Sequence, residues 1–194
     1  MVFMNWTSHS MNRFYSYAAR GIASLAVLLL TMGLVTFGPP AIRTGFDRWS
    51  PDGLTVSYYR GKDFRKLVCR RGERHVFMDY GEQRPAMGVS RNNFSARWEG
   101  WLLAPSNAVY TFFSQSEDGI RLHIDNETII DNWRENDWRT SAAHGQAALT
   151  AGPHRLTIEH FNATGPAALR VRWTGGGIPE NSLLSTPWLR KRKP

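Results

Sequence analysis

The stretch "SQSEDGIRLHIDNETIIDNW", residues 114–133, carries the pattern of a β-hairpin. Leu122 and Ile124 alternate with polar neighbours, which is the period of two expected of a strand with one buried face. Asn126 lies in the turn that follows, where it accepts a positive φ at little cost. The apolar pattern resumes at residues 128–130. The stretch therefore predicts two antiparallel strands joined by a tight turn.

The same alternation appears on both sides of the hairpin. It is found in "LTVSYYRG" (54–61), "FSARWEGWLLAP" (94–105), "VYTFFSQS" (109–116), "HRLTIEHF" (154–161) and "ALRVRW" (168–173). No amphipathic helical pattern of comparable length occurs between these segments. Short alternating strands separated by polar turns are typical of an antiparallel sandwich or barrel. The predicted fold class of this part of the chain is all-β.

A different kind of segment precedes the strands. Gly21 to Ile42 is a run of 22 residues without a charge. As a helix it would be ~33 Å long, which matches the roughly 30 Å of bilayer hydrocarbon. A cleaved signal peptide is the alternative, but "TFGPPA" departs from the small-x-small pattern of cleavage sites. We predict one retained transmembrane helix, a signal-anchor.

The flanking charges of this helix leave its orientation nearly balanced. Arg13 and Arg20 precede it, and Arg43 and Arg48 follow it. A leading anchor before a large folded module usually exports that module. We therefore predict a single-pass membrane protein with a cytoplasmic N-terminus and a periplasmic or extracellular β domain.

The basic charge lies at the two ends of the chain. The formal net charge is +8, and it falls to +2 without Arg13, Arg20, Arg190, Lys191, Arg192 and Lys193. A nearly neutral body is not a phosphate-binding surface, so nucleic acid is not an expected partner. Cys69 is the only cysteine, which excludes an intrachain disulfide and a cysteine-based zinc site.

Two adjacent acids, Glu117 and Asp118, follow the strand that ends near Ser116. Connecting segments on a rigid scaffold are where binding residues concentrate. Paired carboxylates with nearby carbonyls suit a hard cation such as Ca²⁺, which takes six to eight oxygens. The same two acids could instead accept backbone amide bonds in a solvated turn. Both interpretations stand at this point.

A second group of candidate binding residues follows the hairpin, in "WRENDW". It combines flat apolar rings with hydrogen-bonding groups, a mixture that suits a sugar ring or a protein partner. The candidates are Trp133, Arg134, Asn136 and Trp138, although either tryptophan could also be packed into the protein.

Several motifs occur in a distinctive order along the chain. "GLTVSYYRG" comes first, followed by "GWLLAPSNAVYTFFSQSEDGIRLHIDNETIIDNW" and then "HRLTIEHFNATGPAALRVRW". This ordered set resembles the PA14 domain over roughly residues 53–188. The resemblance implies a compact β-sandwich or barrel that is generally non-catalytic and that binds carbohydrate in many members.

The resemblance also bears on the acid pair. In lectin-like adhesins of the family, an adjacent Asp-Asp pair joined by a cis peptide holds a calcium ion that contacts sugar hydroxyls. The matching residues here are Glu117 and Asp118. The glutamate is one methylene longer, which departs from the family's pattern. Calcium is therefore the one cofactor that the resemblance implies.

These observations predict a membrane-anchored module that recognises a glycan or cell-envelope polymer and has no catalytic residues. The alternative is a structural or accessory subunit that docks onto a larger membrane or envelope complex without binding sugar. The predicted parts are a cytoplasmic segment (1–20), the transmembrane anchor (21–42), a linker (43–52), the PA14-like domain (53–188) and a basic tail (189–194).

Overall fold

The computed structural model describes residues 51–194. The predicted cytoplasmic segment and transmembrane anchor lie outside the described residues. The described part is built from twelve strands and contains no helix. The strands are β1 (Leu54–Arg60), β2 (Lys66–Glu73), β3 (Phe77–Gly81), β4 (Phe94–Ala104), β5 (Ala108–Ser116), β6 (Ile120–Ile124), β7 (Glu127–Asn132), β8 (Ala143–Leu149), β9 (Gly152–Asn162), β10 (Ala167–Gly175), β11 (Ile178–Leu183) and β12 (Leu189–Arg190).

The strands form two antiparallel sheets. A seven-stranded sheet has the order β2-β1-β4-β9-β6-β7, with β12 added beside β4. A five-stranded sheet has the order β11-β10-β5-β8, with β3 added beside β10. The prediction of an all-β antiparallel fold is confirmed. Among residues 51–194, no helix has the length and apolar character needed to cross a membrane.

The core lies between the inner faces of the two sheets. Its largest fully buried side chains are aromatic: Trp98, Trp173, Tyr58, Tyr110, Phe94 and Phe112. The Trp173 ring stacks on the Tyr110 ring at 5.5 Å and on the Phe112 ring at 6.1 Å. Alternation in the sequence produces this core because every second residue of a strand faces the same side.

The hairpin predicted from the opening stretch is β6 and β7. Its turn residues Asp125 and Asn126 have φ values of 48° and 73°. Two successive positive φ angles match the right-handed twist of the flanking strands. The Asp125 carboxylate accepts the N–H of Arg155 at 2.7 Å, which fixes the turn to β9.

The C-terminal residues extend the sheet beyond the predicted boundary at residue 188. Leu189 and Arg190, assigned from the sequence to the basic tail, form β12 and pair with Leu102 and Trp101 of β4. Leu189 is fully buried. The Lys193 ammonium lies 5.4 Å from the centre of the Trp101 ring. Burial of Leu189, backbone pairing with β4 and the Arg190–Asp52 ion pair at 3.2 Å together hold this charged segment on the sheet.

A polar network closes one side of the core. The Tyr58 hydroxyl donates to Glu73 Oε1 at 3.0 Å, and the Trp98 indole N–H donates to Glu73 Oε2 at 2.6 Å. The Arg71 guanidinium donates to both the Tyr58 hydroxyl and Glu73. Burial and the neighbouring Glu73 carboxylate raise the pKa of Tyr58 well above its usual value. The network is therefore a set of mutually satisfied polar groups at the edge of the core.

Replacing Tyr58 by Phe is expected to lower the free energy of unfolding by about 1–2 kcal/mol, because a buried hydrogen bond to a charged group is lost. Denaturant unfolding followed by tryptophan fluorescence measures the change. The matched control is Tyr59→Phe. The Tyr59 ring is also buried, but no hydrogen bond of its hydroxyl is present within residues 51–194. Equal losses for the two variants would contradict the role of the network.

Candidate functional site

The chain crosses between the two sheets on each side of the β6–β7 hairpin. Residues 117–119 lead from β5 in the five-stranded sheet to β6 in the seven-stranded sheet. Residues 133–142 lead back from β7 to β8. Hydrogen bonds join these two connections. Together they are here named the crossover corner, and it contains every site residue predicted from the sequence.

Asp118 is the centre of the crossover corner and is only 6% exposed. Its Oδ2 accepts the backbone N–H of Ala163 at 2.6 Å, and its Oδ1 accepts the backbone N–H of Asn136 at 3.3 Å. The Asp118 N–H donates back to the Asn136 carbonyl at 3.1 Å. Burial raises the pKa of Asp118, and the two amide bonds act against that rise. One carboxylate thus holds two distant segments of backbone.

Glu117 holds the next part of the same connection. Its Oε2 accepts the backbone N–H of Trp138 at 3.0 Å. Burial raises the pKa of Glu117, the Trp138 amide bond lowers it, and the nearby Asp137 carboxylate raises it further. Glu117 and Asp118 therefore fix the path of residues 136–138 from opposite ends.

Gly119 is the last residue of the first connection. A larger residue at this position would clash with the Phe161 ring. A Cβ added to Gly119 would lie 2.2 Å from Cε1 of Phe161. The Gly119 carbonyl accepts the Phe161 N–H at 3.1 Å and a hydrogen bond from His160 Nδ1 at 3.0 Å. The acid pair is thus attached to the end of β9.

The arrangement of Glu117 and Asp118 can be compared with what a calcium ion requires. Three of their four carboxylate oxygens accept backbone N–H groups. Within residues 51–194, no group of three or more His, Cys, Asp or Glu side chains is placed to hold a metal ion. Calcium prefers six to eight oxygen ligands. Glu117 and Asp118 alone therefore do not supply such a ligand set, and the calcium ion predicted from the sequence would need further oxygens from other groups.

Trp138 lies on the outer face of the five-stranded sheet. Its ring centre is 5.6 Å from the Arg170 guanidinium, which is also 5.3 Å from the Phe77 ring centre. The Gln115 side-chain amide donates to the Trp138 carbonyl at 3.0 Å. Trp138 is partly exposed. An indole, a guanidinium and an amide are therefore presented together beside the acid pair.

Trp133 packs on the opposite sheet. Its ring centre lies 4.7 Å from that of Phe161 and 5.8 Å from that of Phe64. The Arg121 guanidinium lies 4.6 Å from the same ring. Trp133 and Trp138 therefore do not form one aromatic platform, although the sequence places them five residues apart.

Arg134 and Asn136 contact each other between the two tryptophans. The Arg134 Nε donates to Asn136 Oδ1 at 3.0 Å, and the Asn136 side-chain amide donates to the Arg134 carbonyl at 3.0 Å. Arg134 is exposed. Of the six predicted site residues, five are joined by hydrogen bonds and only Trp133 faces away; the five are Glu117, Asp118, Arg134, Asn136 and Trp138.

Phe77, Gln115 and Arg170 are neighbours of Trp138 that could not be identified from the sequence. Each of them occupies an outward position of an alternating strand, which is a pattern that many solvated residues share. Their proximity to Trp138 depends on the order of β3, β10 and β5 in the sheet. No local signal in the sequence reports that order.

Comparison with known proteins supports the description of the fold. A curated relative, the anti-sigma-I factor RsgI3 of Acetivibrio thermocellus, is 27% identical over 124 residues, which is 63% of this chain and 19% of that protein. The structure of an anti-sigma factor domain-containing protein from Clostridium clariflavum is 27% identical and has a TM-score of 0.66. That alignment covers 73% of this chain and 48% of the other. The chain thus corresponds to about half or less of each of these proteins.

A third similar structure is a PA14 sugar-binding domain from an RTX adhesin. It has a TM-score of 0.60 and 15% identity, and the alignment covers 73% of this chain and 99% of the adhesin domain. At 15% identity, the similarity shows only that the two domains share a fold. The sequence profile of the PA14 domain matches residues 50–185, which is more than half of the chain. The chain therefore belongs to the PA14 domain family.

Proposed function

We propose that this protein is a non-catalytic glycan-binding module and that the crossover corner is its binding site. The observation that carries the proposal is the position of Trp138. Its indole is partly exposed, its backbone is fixed by Glu117 and Gln115, and the Arg170 guanidinium lies beside its ring. A rigid aromatic face next to hydrogen-bonding groups suits the flat apolar side and the hydroxyls of a sugar ring.

The family supports a role in carbohydrate binding in general. A similar fold occurs in the PA14 sugar-binding domain of an RTX adhesin. The arrangement of Glu117 and Asp118 favours binding without calcium, because amide groups already occupy most of their carboxylate oxygens. We therefore expect glycan affinity to be the same in calcium and in a chelator.

A non-catalytic role is consistent with the placement of the acids. Glycoside hydrolysis uses two carboxyl groups that act from opposite sides of the bond. Glu117 and Asp118 are consecutive residues whose oxygens hold the backbone of residues 136–138 and of Ala163. That role suits positioning of a loop better than proton transfer.

The proposal includes the predicted location. The apolar run at residues 21–42 would anchor the chain in a membrane with its N-terminus in the cytoplasm. The PA14 domain would then face the periplasm or the exterior. Attachment to a membrane raises the effective concentration of a weakly binding module near an envelope polymer.

The direct test is titration of the full chain, purified in a non-ionic detergent, with a panel of neutral oligosaccharides by isothermal titration calorimetry. Trp138→Ala is expected to weaken the binding of a recognised sugar about fivefold or more, since a stacking aromatic ring is worth roughly 1–3 kcal/mol. Trp101→Ala is the matched control, because Trp101 is also partly exposed but lies on β4. Affinity that is independent of Trp138 would contradict the proposed site.

The second candidate function is that of a structural or accessory subunit. It is favoured by the anti-sigma factor proteins among the relatives, in which this type of domain is part of a longer regulatory chain. The module would then dock onto a protein partner in the envelope. One partner that co-purifies from native membranes in a fixed ratio, with no sugar binding at any concentration, would favour this function over glycan recognition.

A further inference from the structure

A cleft of about 370 Å³ opens between β1, β2 and the connection from β3 to β4. It lies at the lower end of the roughly 300–1,000 Å³ range of ligand pockets. The cleft is lined by different residues from the crossover corner, and no carboxylate is among them. Its polar lining comes from Arg60, Arg84, Ser90, Asn92 and Asn93. We name it the arginine cleft.

Both arginines in the cleft are exposed and unneutralised. Within residues 51–194, no hydrogen bond, ion pair or ring contact engages the guanidinium of Arg60 or that of Arg84. Other arginines nearby are paired. Arg91 contacts Glu82 at 3.1 Å, and Arg65 contacts Asp63 at 2.8 Å. The cleft therefore contains two arginines whose guanidinium groups have no internal partner within the described residues, in contrast to Arg91 and Arg65.

The walls of the cleft are held by the framework. The N–H of Gly61, next to Arg60, donates to the Asn93 carbonyl at 2.8 Å, and the Asn93 N–H donates to the Ala163 carbonyl at 3.0 Å. The Arg71 guanidinium donates to the Pro85 carbonyl at 2.9 Å. Val89 is buried. A preformed wall loses little conformational freedom on binding, which favours a specific ligand over transient ion contact.

The composition of the lining points to the class of ligand. Guanidinium groups form paired hydrogen bonds with carboxylate or sulfate oxygens. The hydroxyl of Ser90 and the amide of Asn93 offer further hydrogen bonds suited to sugar hydroxyls, whereas the Asn92 side-chain amide donates to the Gly165 and Arg91 carbonyls. Val68 adds an apolar contact. We propose that the arginine cleft binds an acidic saccharide, with Arg60 and Arg84 on its carboxylate or sulfate group.

This site goes beyond the proposed function, because it does not require that the crossover corner binds sugar. The test uses the full chain in a non-ionic detergent and fluorescently labelled tetragalacturonate, with its neutral methyl ester as the comparison ligand. The acid is expected to bind at least tenfold more tightly than the ester at low salt. Its affinity should fall as salt rises, because the interaction is between charges.

Substitution of the two arginines locates the binding. Arg60→Gln and Arg84→Gln are each expected to weaken the binding of tetragalacturonate about tenfold, because each removes a charge-assisted contact. Neither change removes an interaction within the described residues, so thermal stability should be unchanged. Arg155→Gln is the matched control: the Arg155 side chain is exposed on β9 and belongs neither to the arginine cleft nor to the crossover corner. That variant should bind as the natural chain does.

The outcomes separate this proposal from the previous one. Equal affinity for the acid and its ester, unchanged affinity in both arginine variants, or displacement by an equal concentration of inorganic sulfate would overturn the acidic saccharide site. If any of these results were obtained while Trp138→Ala lost its binding of neutral sugar, the proposed function of the crossover corner would still stand. Acid binding that depends on Arg60 and Arg84 but not on Trp138 would support the cleft alone.

Discussion

Asp118→Asn is expected to lower the free energy of unfolding by about 3 kcal/mol, whether or not calcium is present. The substitution keeps the shape of the side chain but removes its charge. It also turns an NH₂ group towards either the Ala163 N–H or the Asn136 N–H, which both donate to Asp118. A buried donor left without an acceptor costs about 1–3 kcal/mol, and bonds to charged groups are at the strong end.

Urea unfolding in 5 mM calcium and in chelator measures this effect and decides the role of the acid pair. Asp137→Asn is the matched control, since the Asp137 carboxylate also accepts a backbone N–H, that of Arg139 at 2.7 Å, but is exposed. The Asp137→Asn variant should lose less than about 1 kcal/mol of unfolding free energy. A natural chain that gains stability in calcium, with Asp118→Asn losing only that gain, would identify Asp118 as a metal ligand instead.

The second large effect is a dependence of stability on pH that arises from His160. Burial lowers the pKa of His160 to about 4, and its hydrogen bond to the Gly119 carbonyl opposes that shift. An unfolded histidine titrates near 6.5. Between these values the unfolded chain takes up a proton that the folded chain does not. The stability that His160 contributes is therefore complete above pH 6.5 and falls by roughly 3 kcal/mol as the pH drops to 4.

The geometry explains why the charged imidazole is disfavoured. His160 Nδ1 donates to the Gly119 carbonyl at 3.0 Å, and Nε2 has no hydrogen-bond partner within residues 51–194. The Phe94 ring lies 6.1 Å from the imidazole. A second proton on Nε2 would thus be placed in an apolar environment without an acceptor.

Unfolding measured at intervals from pH 7.5 to pH 4 tests this prediction. The raised pKa values of Glu117 and Asp118 increase the free energy of unfolding as the pH falls, which opposes the effect of His160. The pH dependence of the unfolding free energy is therefore compared between the natural chain and His160→Leu. The pH-dependent fall should be smaller by about 3 kcal/mol in that variant. The control variant His144→Gln replaces an exposed histidine. Its free energy of unfolding should fall with pH as much as that of the natural chain. The same pH profile in His160→Leu and the natural chain would refute the assignment.

The strands could be predicted from the sequence because their signal is local. Alternation in β4, β9 and β10 follows from one buried face per sheet, and each stretch contains it completely. The turn of the β6–β7 hairpin was also local, since Asn126 tolerates a positive φ. Leu189 was assigned to the tail because it directly precedes the basic run at residues 190–193 and no alternating pattern extends to it.

The crossover corner could be predicted only in part. Glu117, Asp118, Asn136 and Trp138 were all identified as candidates, and they lie together. Trp133 and Trp138, both candidates, lie on different sheets, because the chain passes from one sheet to the other between them. Sequence distance does not report which face of which layer a side chain reaches.

By itself, the sequence determined the all-β class, the hairpin and membership of the PA14 domain family, since each depends on residues that are close along the chain or occur in a fixed order. The tertiary structure alone decided which groups the acids hold, how deeply His160 is buried and that Arg60 and Arg84 line the same cleft. These features depend on segments tens of residues apart that meet only when the two sheets pack, and packing is driven by the burial of apolar area summed over the whole domain.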